Sequence, residues 1–183
     1  MLDRIYPWGK PLRAQTAQRI RAEMAREPWQ IAGYFALRSE IFAGEQGLFQ
    51  GSDRDEHDER ATAIVAQGEI AGMPDSVVGV VRIYPAPDAV GTWFGGRLGV
   101  AHAYRRVGAV GAALITEAVS TAHGWGCTRF WATVQEANAR YFERHHFRCL
   151  EKLSLLGRPH VLMQADLECY PAHLSSAWRA RAS

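Results

Sequence analysis

The chain has 183 residues, 48% of them hydrophobic and 22% charged, which excludes disordered and fibrous classes. Twenty-one Lys and Arg against 19 Asp and Glu leave a formal charge of +2, too little for a broad nucleic-acid or anionic-membrane surface. No uncharged apolar run nears the roughly 18 residues that a membrane span needs. Nor does any apolar segment follow Met1-Leu2-Asp3-Arg4, so no secretory leader is expected. Cys127, Cys149 and Cys169 form no CxxC and no zinc-ligand spacing. All three are expected as buried thiols in a reducing cytoplasm.

The first 30 residues read as an extension with a polar, helix-like stretch from Ala14 to Arg26. A helix is predicted from Trp29 to Ala43, with Ile31, Tyr34, Phe35, Arg38, Ile41 and Phe42 recurring at helical spacing. Residues 51–60 (GSDRDEHDER) form a charged loop. Strands are predicted over Ala61–Ala66 and Val77–Tyr84, turning through Gly68, Gly72, Pro74 and Asp75. Pro85 and Pro87 close the second strand. A glycine-bearing loop containing Trp93 and Phe94 leads to a short strand, Arg97–Ala101. A helix over Val110–His123 follows, ended by Gly124 and Gly126. A strand over Arg129–Val134, a helix over Asn138–His146, and a hairpin of Leu150–Leu156 with Val161–Leu167 complete the pattern. Strands first, then alternating elements, then a hairpin describe an α/β fold with a mixed central sheet and helices on both faces.

Gly108 and Gly111 lie between a strand and a helix, just after Arg105 and Arg106. A helix N-terminus offers free N–H groups and a partial positive charge. Glycines admit an anion close to the backbone, and arginines add charge-assisted hydrogen bonds. The segment suits a pyrophosphate; small residues here equally suit tight helix-on-sheet packing. GxxxxGK[ST] and GxGxxG are both absent, so neither a P-loop nor a dinucleotide site is supported.

Leu98 to Leu114 (LGVAHAYRRVGAVGAAL) resembles the acyl-CoA motif of the GNAT superfamily of N-acetyltransferases: a strand, Q/R-x-x-G-x-G/A, then a helix. Thr133 to Phe147 (TVQEANARYFERHHF) resembles that superfamily's second motif. Arg38, Phe42, Glu45, Gln46, Asp55 and Asp58, with Gly96-Arg97 and the late GRPH and Met163, resemble one branch of it. YFALRSEIFAGEQGLFQGSDRDEHD, GRLGV, AVSTAHGWGC and GRPHVLMQADL are similar to a small bacterial subfamily encoded beside nitrilases. The resemblance implies a GNAT domain over 31–168, between the extension 1–30 and a tail 169–183. It implies transfer of an acyl group from acetyl-CoA to a small amine, without a metal, in the cytoplasm, with a homodimer as the possible assembly. It further implies Leu98, Gly99 and Val100 beside the pantetheine. Arg105, Arg106, Val107, Gly108, Ala109, Val110, Gly111 and Ala112 would form the phosphate cradle, with Asn138 and Phe142 beside the cofactor. The loop departs from the common motif by one residue: read forward it gives Arg105, Gly108 and Val110, read backward Arg106, Ala109 and Gly111.

For catalysis, many relatives carry a tyrosine five residues before the phenylalanine that ends the second motif. Phe142 fills that slot here, and Tyr141 stands one residue early. Glu45, His160 and Tyr141 are the candidate proton-transfer groups. Glu45 is either a base or ammonium ligand, or a solvated helix end. His160 is either a base or substrate ligand, or a brace of the hairpin. Arg38, Glu45, Gln46, Arg82 and Trp93 are the candidate acceptor-side residues. Arg82 and Arg97 are expected to pair with Glu45, Asp55 or Asp58, or to bind an anionic part of the substrate. Trp93 and Phe94 line an acceptor pocket or are plain core. Most of Asp55, Glu56, His57 and Asp58 read as a solvated loop, with Asp58 a candidate cap. Acyl-homoserine-lactone synthases share the fold and a similar early acidic run, but they use an acyl carrier, and no basic face for one is visible. A non-catalytic acyl-CoA sensor or partner subunit is the alternative.

Overall fold

The computed structural model describes residues 19–47, 49, 51–70 and 73–173. The expected extension up to residue 18, Gly72 of the expected turn, and the tail from residue 174 lie outside the described residues. In chain order the elements are β1 (Arg19–Met24), α1 (Pro28–Arg38), β2 (Thr62–Ile70), β3 (Met73–Pro85), β4 (Thr92–Val100), α2 (Ala109–Gly124), β5 (Arg129–Gln135), α3 (Ala139–Glu143), β6 (Phe147–Leu155) and β7 (Arg158–Ala165). α1 runs on as a π-helical stretch, Ser39–Glu45. Short 3₁₀ turns occupy Glu56–Glu59 and His102–Val107.

The seven strands form one sheet in the order β1-β2-β3-β4-β5-β7-β6. Every neighbouring pair is antiparallel except β4 with β5. Strand alternation sends neighbouring residues to opposite faces. Ile64, Ala66, Val81 and Ile83 pack with Val110, Leu114 and Ala118 of α2. Val65 and Val80 pack with Tyr34, Leu37, Ile41 and Phe42 of α1. Each fully buried side chain of this kind is worth roughly 1.5–3 kcal/mol. A Cβ at Gly79 would lie 2.8 Å from both Leu114 Cδ1 and Val110 Cγ1, so the glycine sets how closely α2 approaches. The expected mixed sheet with helices on both faces is present.

Local readings differ at several points. Arg19–Met24, expected within a helix-like stretch, is the edge strand β1, pairing with β2 from Arg19↔Glu69 to Met24↔Ile64. Ile20, Ala22 and Met24 face the core in period 2, and pairing to β2 wins over helix propensity. Trp93 to Gly96, expected as loop, lie within β4. The second-motif helix is shorter than expected, and β6 starts at Phe147. Only Cys127 is a buried thiol, pushed up to about 11 by burial; Cys149 and Cys169 are exposed. Tyr170 is buried, its hydroxyl donating to the carbonyl of His145. No helix among the described residues is long and apolar enough to cross a membrane.

Candidate active site

The charged loop after α1 folds onto three arginines. Arg38 is fully buried. Its Nε donates to Asp53 Oδ2 at 2.7 Å, and its Nη1 and Nη2 donate to Asp58 at 2.6 and 3.0 Å. Arg82 is bidentate to Asp55, 2.6 Å on each side, and lies 2.9 Å from Asp58. Arg97 reaches Asp53 Oδ2 at 3.2 Å and Asp55 Oδ2 at 3.1 Å. Three positive and three negative charges therefore cancel, which is what burial of charge requires. Burial alone would raise the Asp58 carboxyl, but hydrogen bonds from Arg38, the Asp55 backbone and Arg82 hold it well below the usual carboxylate range. Asp55 is lowered likewise, burial being outweighed by Arg82 and Arg97. Tyr34 is pushed up to about 12 by burial, with its hydroxyl accepting from Arg38 at 2.9 Å. Asp55 and Asp58 also cap the 3₁₀ turn reciprocally.

This network fixes a bulge in β4. Gly99 pairs with Val80 and Gly96 with Arg82, so Arg97 and Leu98 together oppose Val81. Arg97 adopts φ 55°, a left-handed backbone rare for a non-glycine residue. Beyond Gly95↔Ala132 the pairing of β4 with β5 stops, and the two strands diverge. A cavity of about 760 Å³ opens there. Its lining includes Tyr104, Arg105, Gly108 and Gly111 around the start of α2, Tyr84 and Phe94 of β3 and β4, and Leu156 and His160 of the β6–β7 hairpin. A Cβ at Gly99 would lie 2.9 Å from Ile41 Cδ1, so a glycine lets the π-helical end of α1 press against β4. π-Helical turns of this kind concentrate at functional sites.

At the cradle, Gly108 caps α2 with φ 63°. The N–H groups of Ala109, Val110 and Gly111 precede the first ladder bond, Ala112 to Gly108. Val110 turns its side chain wholly into the core, so the bulk that departs from the motif does not obstruct the backbone. Gly111 lies under Tyr141, and a Cβ there would collide with the phenol oxygen. Gly108 of the forward reading and Gly111 of the backward one both line the cavity. Arg105 lines the cavity, yet its Nε donates to the carbonyl of Val100 at 2.8 Å and its Nη2 to Glu45 at 2.5 Å. Arg106 is exposed and, with Ala109 and Ala112, is not part of the lining; the side chain of Val107 lies outside the described residues. Asn138 lines the cavity.

Tyr141 lines the cavity and donates to the carbonyl of Gly108 at 3.3 Å. Burial raises its phenol above the usual range, so it holds its proton at neutral pH. Phe142 is buried, packed edge-on against Phe147 at 5.2 Å. His160 lines the cavity, with Nδ1 2.9 Å from the carbonyl of Arg158. A carbonyl only accepts, so Nδ1 carries a proton, and in the neutral imidazole the lone pair is then on Nε2. Gln46 accepts from Gln135 at its side chain and from Arg158 at its carbonyl, each at 3.1 Å. It ties the end of the π-helical stretch to β5 and β7.

Two acceptor-side expectations are corrected. Arg38 is sealed from the cavity by its three partners and touches no solvent. Trp93 points to the α2 face, tilted against Trp125 at 5.5 Å, and Phe94 lines the cavity in its place. Arg82 does line it, but its terminal nitrogens are taken by Asp55 and Asp58 rather than by Glu45; its Nε is buried without a partner. Sequence reasoning missed Asp53, although Asp53 and Asp55 stand two apart in an extended run, the spacing that places both on one side. Among the described residues no group of His, Cys, Asp or Glu is assembled to hold a metal ion.

The family model described as the acetyltransferase (GNAT) family matches residues 15–147. No curated protein matches the chain. Among solved structures it is similar to a Lactobacillus plantarum protein assigned as an N-acetyltransferase, with 24% identity over 80% of this chain and 97% of that one, TM-score 0.69. It is similar to ElaA of Escherichia coli, with 21% identity over 81% and 100%, TM-score 0.66. It is also similar to the CoA-dependent acyl-homoserine lactone synthase BjaI, solved with SAM and isopentyl-CoA, with 16% identity over 92% and 100%, TM-score 0.63. At these identities the structural likeness speaks for the fold alone.

Proposed function

The chain belongs to the acetyltransferase (GNAT) family, and from that premise we propose that it moves an acetyl group from acetyl-CoA to a small amine. The observation that carries this reading is the divergence of β4 from β5 into the same cavity that meets the N-terminus of α2. Val100 and its neighbours on the diverging strand would pair with pantetheine amides, and the first turn of α2 would hold the pyrophosphate. Leu98 and Val100 keep their side chains on the α2 face, leaving backbone toward the cleft.

In the reaction the amine nitrogen forms a bond to the thioester carbon, the C–S bond breaks, and the nitrogen loses a proton. His160 Nε2 is our choice of base, because its tautomer leaves the lone pair available. Tyr141, kept protonated by burial, would return a proton to the departing thiolate. A backbone N–H near Gly99 or Val100 would stabilise the oxyanion. Glu45 is held by Arg105 and would act on the cradle rather than on the amine. The stretches YFALRSEIFAGEQGLFQGSDRDEHD, GRLGV, AVSTAHGWGC and GRPHVLMQADL support the nitrilase-associated subfamily, with cytoplasmic residence and a homodimer as parts of the same reading.

The test is calorimetric binding of acetyl-CoA joined to thiol release over an amine panel. Binding in the micromolar range, about −8 kcal/mol, with turnover on at least one amine is expected. His160→Gln should lower kcat by roughly 10²–10⁴ and leave acetyl-CoA affinity intact. No binding by the folded protein would overturn the reading. Tight binding without thiol release from any amine would favour a sensor or partner subunit, for which the core placement of Phe142 speaks.

A further inference from the structure

The cavity touches both faces of the sheet. Ile41 and Phe42 border it from the α1 side, and Ile115, Val119 and Phe130 from the α2 side. Paired strands lie too close together to leave an opening between them. β3 is paired with β4 on both sides of the bulge, and β5 is paired with β7. The cavity therefore passes through the sheet where β4 has parted from β5, beyond Gly95↔Ala132.

On the α2 side it runs on past the cradle. Gly111, Ile115, Ala118 and Val119 line it in succession, and Val119 lies about 12 Å along the helix axis from Gly111. On β5 the lining runs back from Val134 through Ala132 to Phe130, which pairs with Trp93 inside the joined end of the two strands. Ile115, Ala118, Val119, Phe130, Phe142 and Phe147 bound this arm and belong to one core cluster. All six are buried, and none has a side-chain nitrogen or oxygen. Phe147 meets Phe130 edge-on at 6.3 Å and Phe142 edge-on at 5.2 Å, so the three rings form one packed group.

That lining decides what can enter. A core is close-packed, and apolar space left open in it lowers stability unless something fills it. An ammonium or amide in the arm would lose its water and meet no side-chain partner. An alkyl chain would lose only water contact, which is favourable. With pyrophosphate at the first turn of α2 and pantetheine beside Val100, the group next along the cavity is the one carried on the sulfur. Six apolar neighbours suit a group the size of a core side chain, which touches roughly 6–12 residues, better than a lone methyl.

We propose that this arm holds the acyl group of the CoA ester, and that the group it is built for is an apolar alkyl chain longer than acetyl. The inference rests on acyl transfer from CoA in the reading above and adds the length of the acyl group to it. Ala118 sets that length, because it is the smallest of the six side chains and a larger one would stand in the arm.

Calorimetry with CoA, acetyl-CoA, butanoyl-CoA and hexanoyl-CoA tests it, on wild type and on Ala118→Leu. Each methylene buried should tighten binding by about fourfold. Butanoyl-CoA or hexanoyl-CoA should therefore bind wild type at least about tenfold more tightly than acetyl-CoA. In Ala118→Leu that ratio should fall to about threefold or less. Equal affinity for acetyl-CoA and its longer homologues would overturn the proposal and leave acetyl transfer standing. A ratio unchanged in Ala118→Leu would overturn it as well. Should Ala118→Leu fail to fold, Ala118→Val takes its place, and failure of both would show that no space stands beside Ala118, which also refutes the arm. If folded wild type binds neither CoA nor any of its esters, acyl transfer falls and this inference falls with it.

Discussion

The guanidinium of Arg97 donates to the backbone carbonyl of Asp53 at 3.0 Å while its own backbone sits at φ 55°. A strained residue of β4 and a buried aspartate 44 positions earlier therefore hold each other in place. Arg97→Gly removes the ion pairs but relieves the strain; Arg97→Ala removes the pairs and keeps the strain. We expect Arg97→Ala to lose roughly 2–4 kcal/mol, and Arg97→Gly about 1 kcal/mol less. Urea unfolding midpoints with matched slopes would show the order, and a reversed order would refute the strain.

Asp55 and Asp58 give the protein an acid-sensitive stability. A carboxyl whose pKa is depressed by folding contributes fully above its unfolded value of about 4, and that contribution fades as pH falls toward the folded value. Tm should hold level from about pH 7 to pH 5 and drop steeply below about pH 4. Asp58→Asn should lower the plateau by roughly 3–5 kcal/mol, because it leaves Arg38 and Arg82 short of a partner. It should also flatten the acid limb. An acid limb of unchanged slope would place its origin elsewhere.

His146 adopts φ 58° and is exposed, and its carbonyl accepts from the N–H of Asp166. Nothing in that bond depends on the imidazole. His146→Gly should stabilise the chain by about 0.5–1 kcal/mol through relief of the left-handed backbone. Thermal unfolding checks it, and a lower Tm would show that the ring contributes more than its conformation takes away.

Gly111 and Tyr141 should behave as a coupled pair. Gly111→Ala drives a methyl group into the Tyr141 hydroxyl and should weaken acetyl-CoA binding and turnover by about tenfold or more. Tyr141→Phe removes the atom that the methyl would strike. The double variant should therefore lose less than the sum of the single losses. Strict additivity in kcat/KM would show that the two residues do not meet.

Glu45 and Arg105 make opposite demands on the cradle. The carboxylate draws Arg105 away from any incoming phosphate. Glu45→Gln should tighten acetyl-CoA binding, by about two- to fivefold for a partly exposed pair. Calorimetry at low salt reads it, and weaker binding would show that Glu45 positions Arg105 for the phosphate instead.

The parts legible in the sequence were those with local signals. The apolar run of α2 between glycines, β5, and the β6–β7 hairpin across Gly157 all have patterns that fit one period. The parts that were not legible depend on partners far along the chain. RIRAEM carries a strand's alternation, but only β2 at its side makes it one. Gly95 looks like a loop residue because the ring that needs its space is Phe130, 2.8 Å from where a Cβ would stand. Arg38 looked like a ligand for substrate because the carboxylates that bury it lie 15 and 20 residues on. The contact of Tyr141 with Gly108, 33 residues earlier, has no local signal either.

The parallel join between β4 and β5 spans only Thr92↔Arg129 to Gly95↔Ala132. Among the described residues it is the sheet's one link between the four strands that carry the charged network and the three that carry His160 and the β6–β7 hairpin. The protein is in this respect a pair of jaws on a short hinge. Widening the gap for a bulkier acyl chain would leave each jaw's own ladders alone and load the four residue pairs at the closed end, together with the two Gln46 bonds that bridge the jaws.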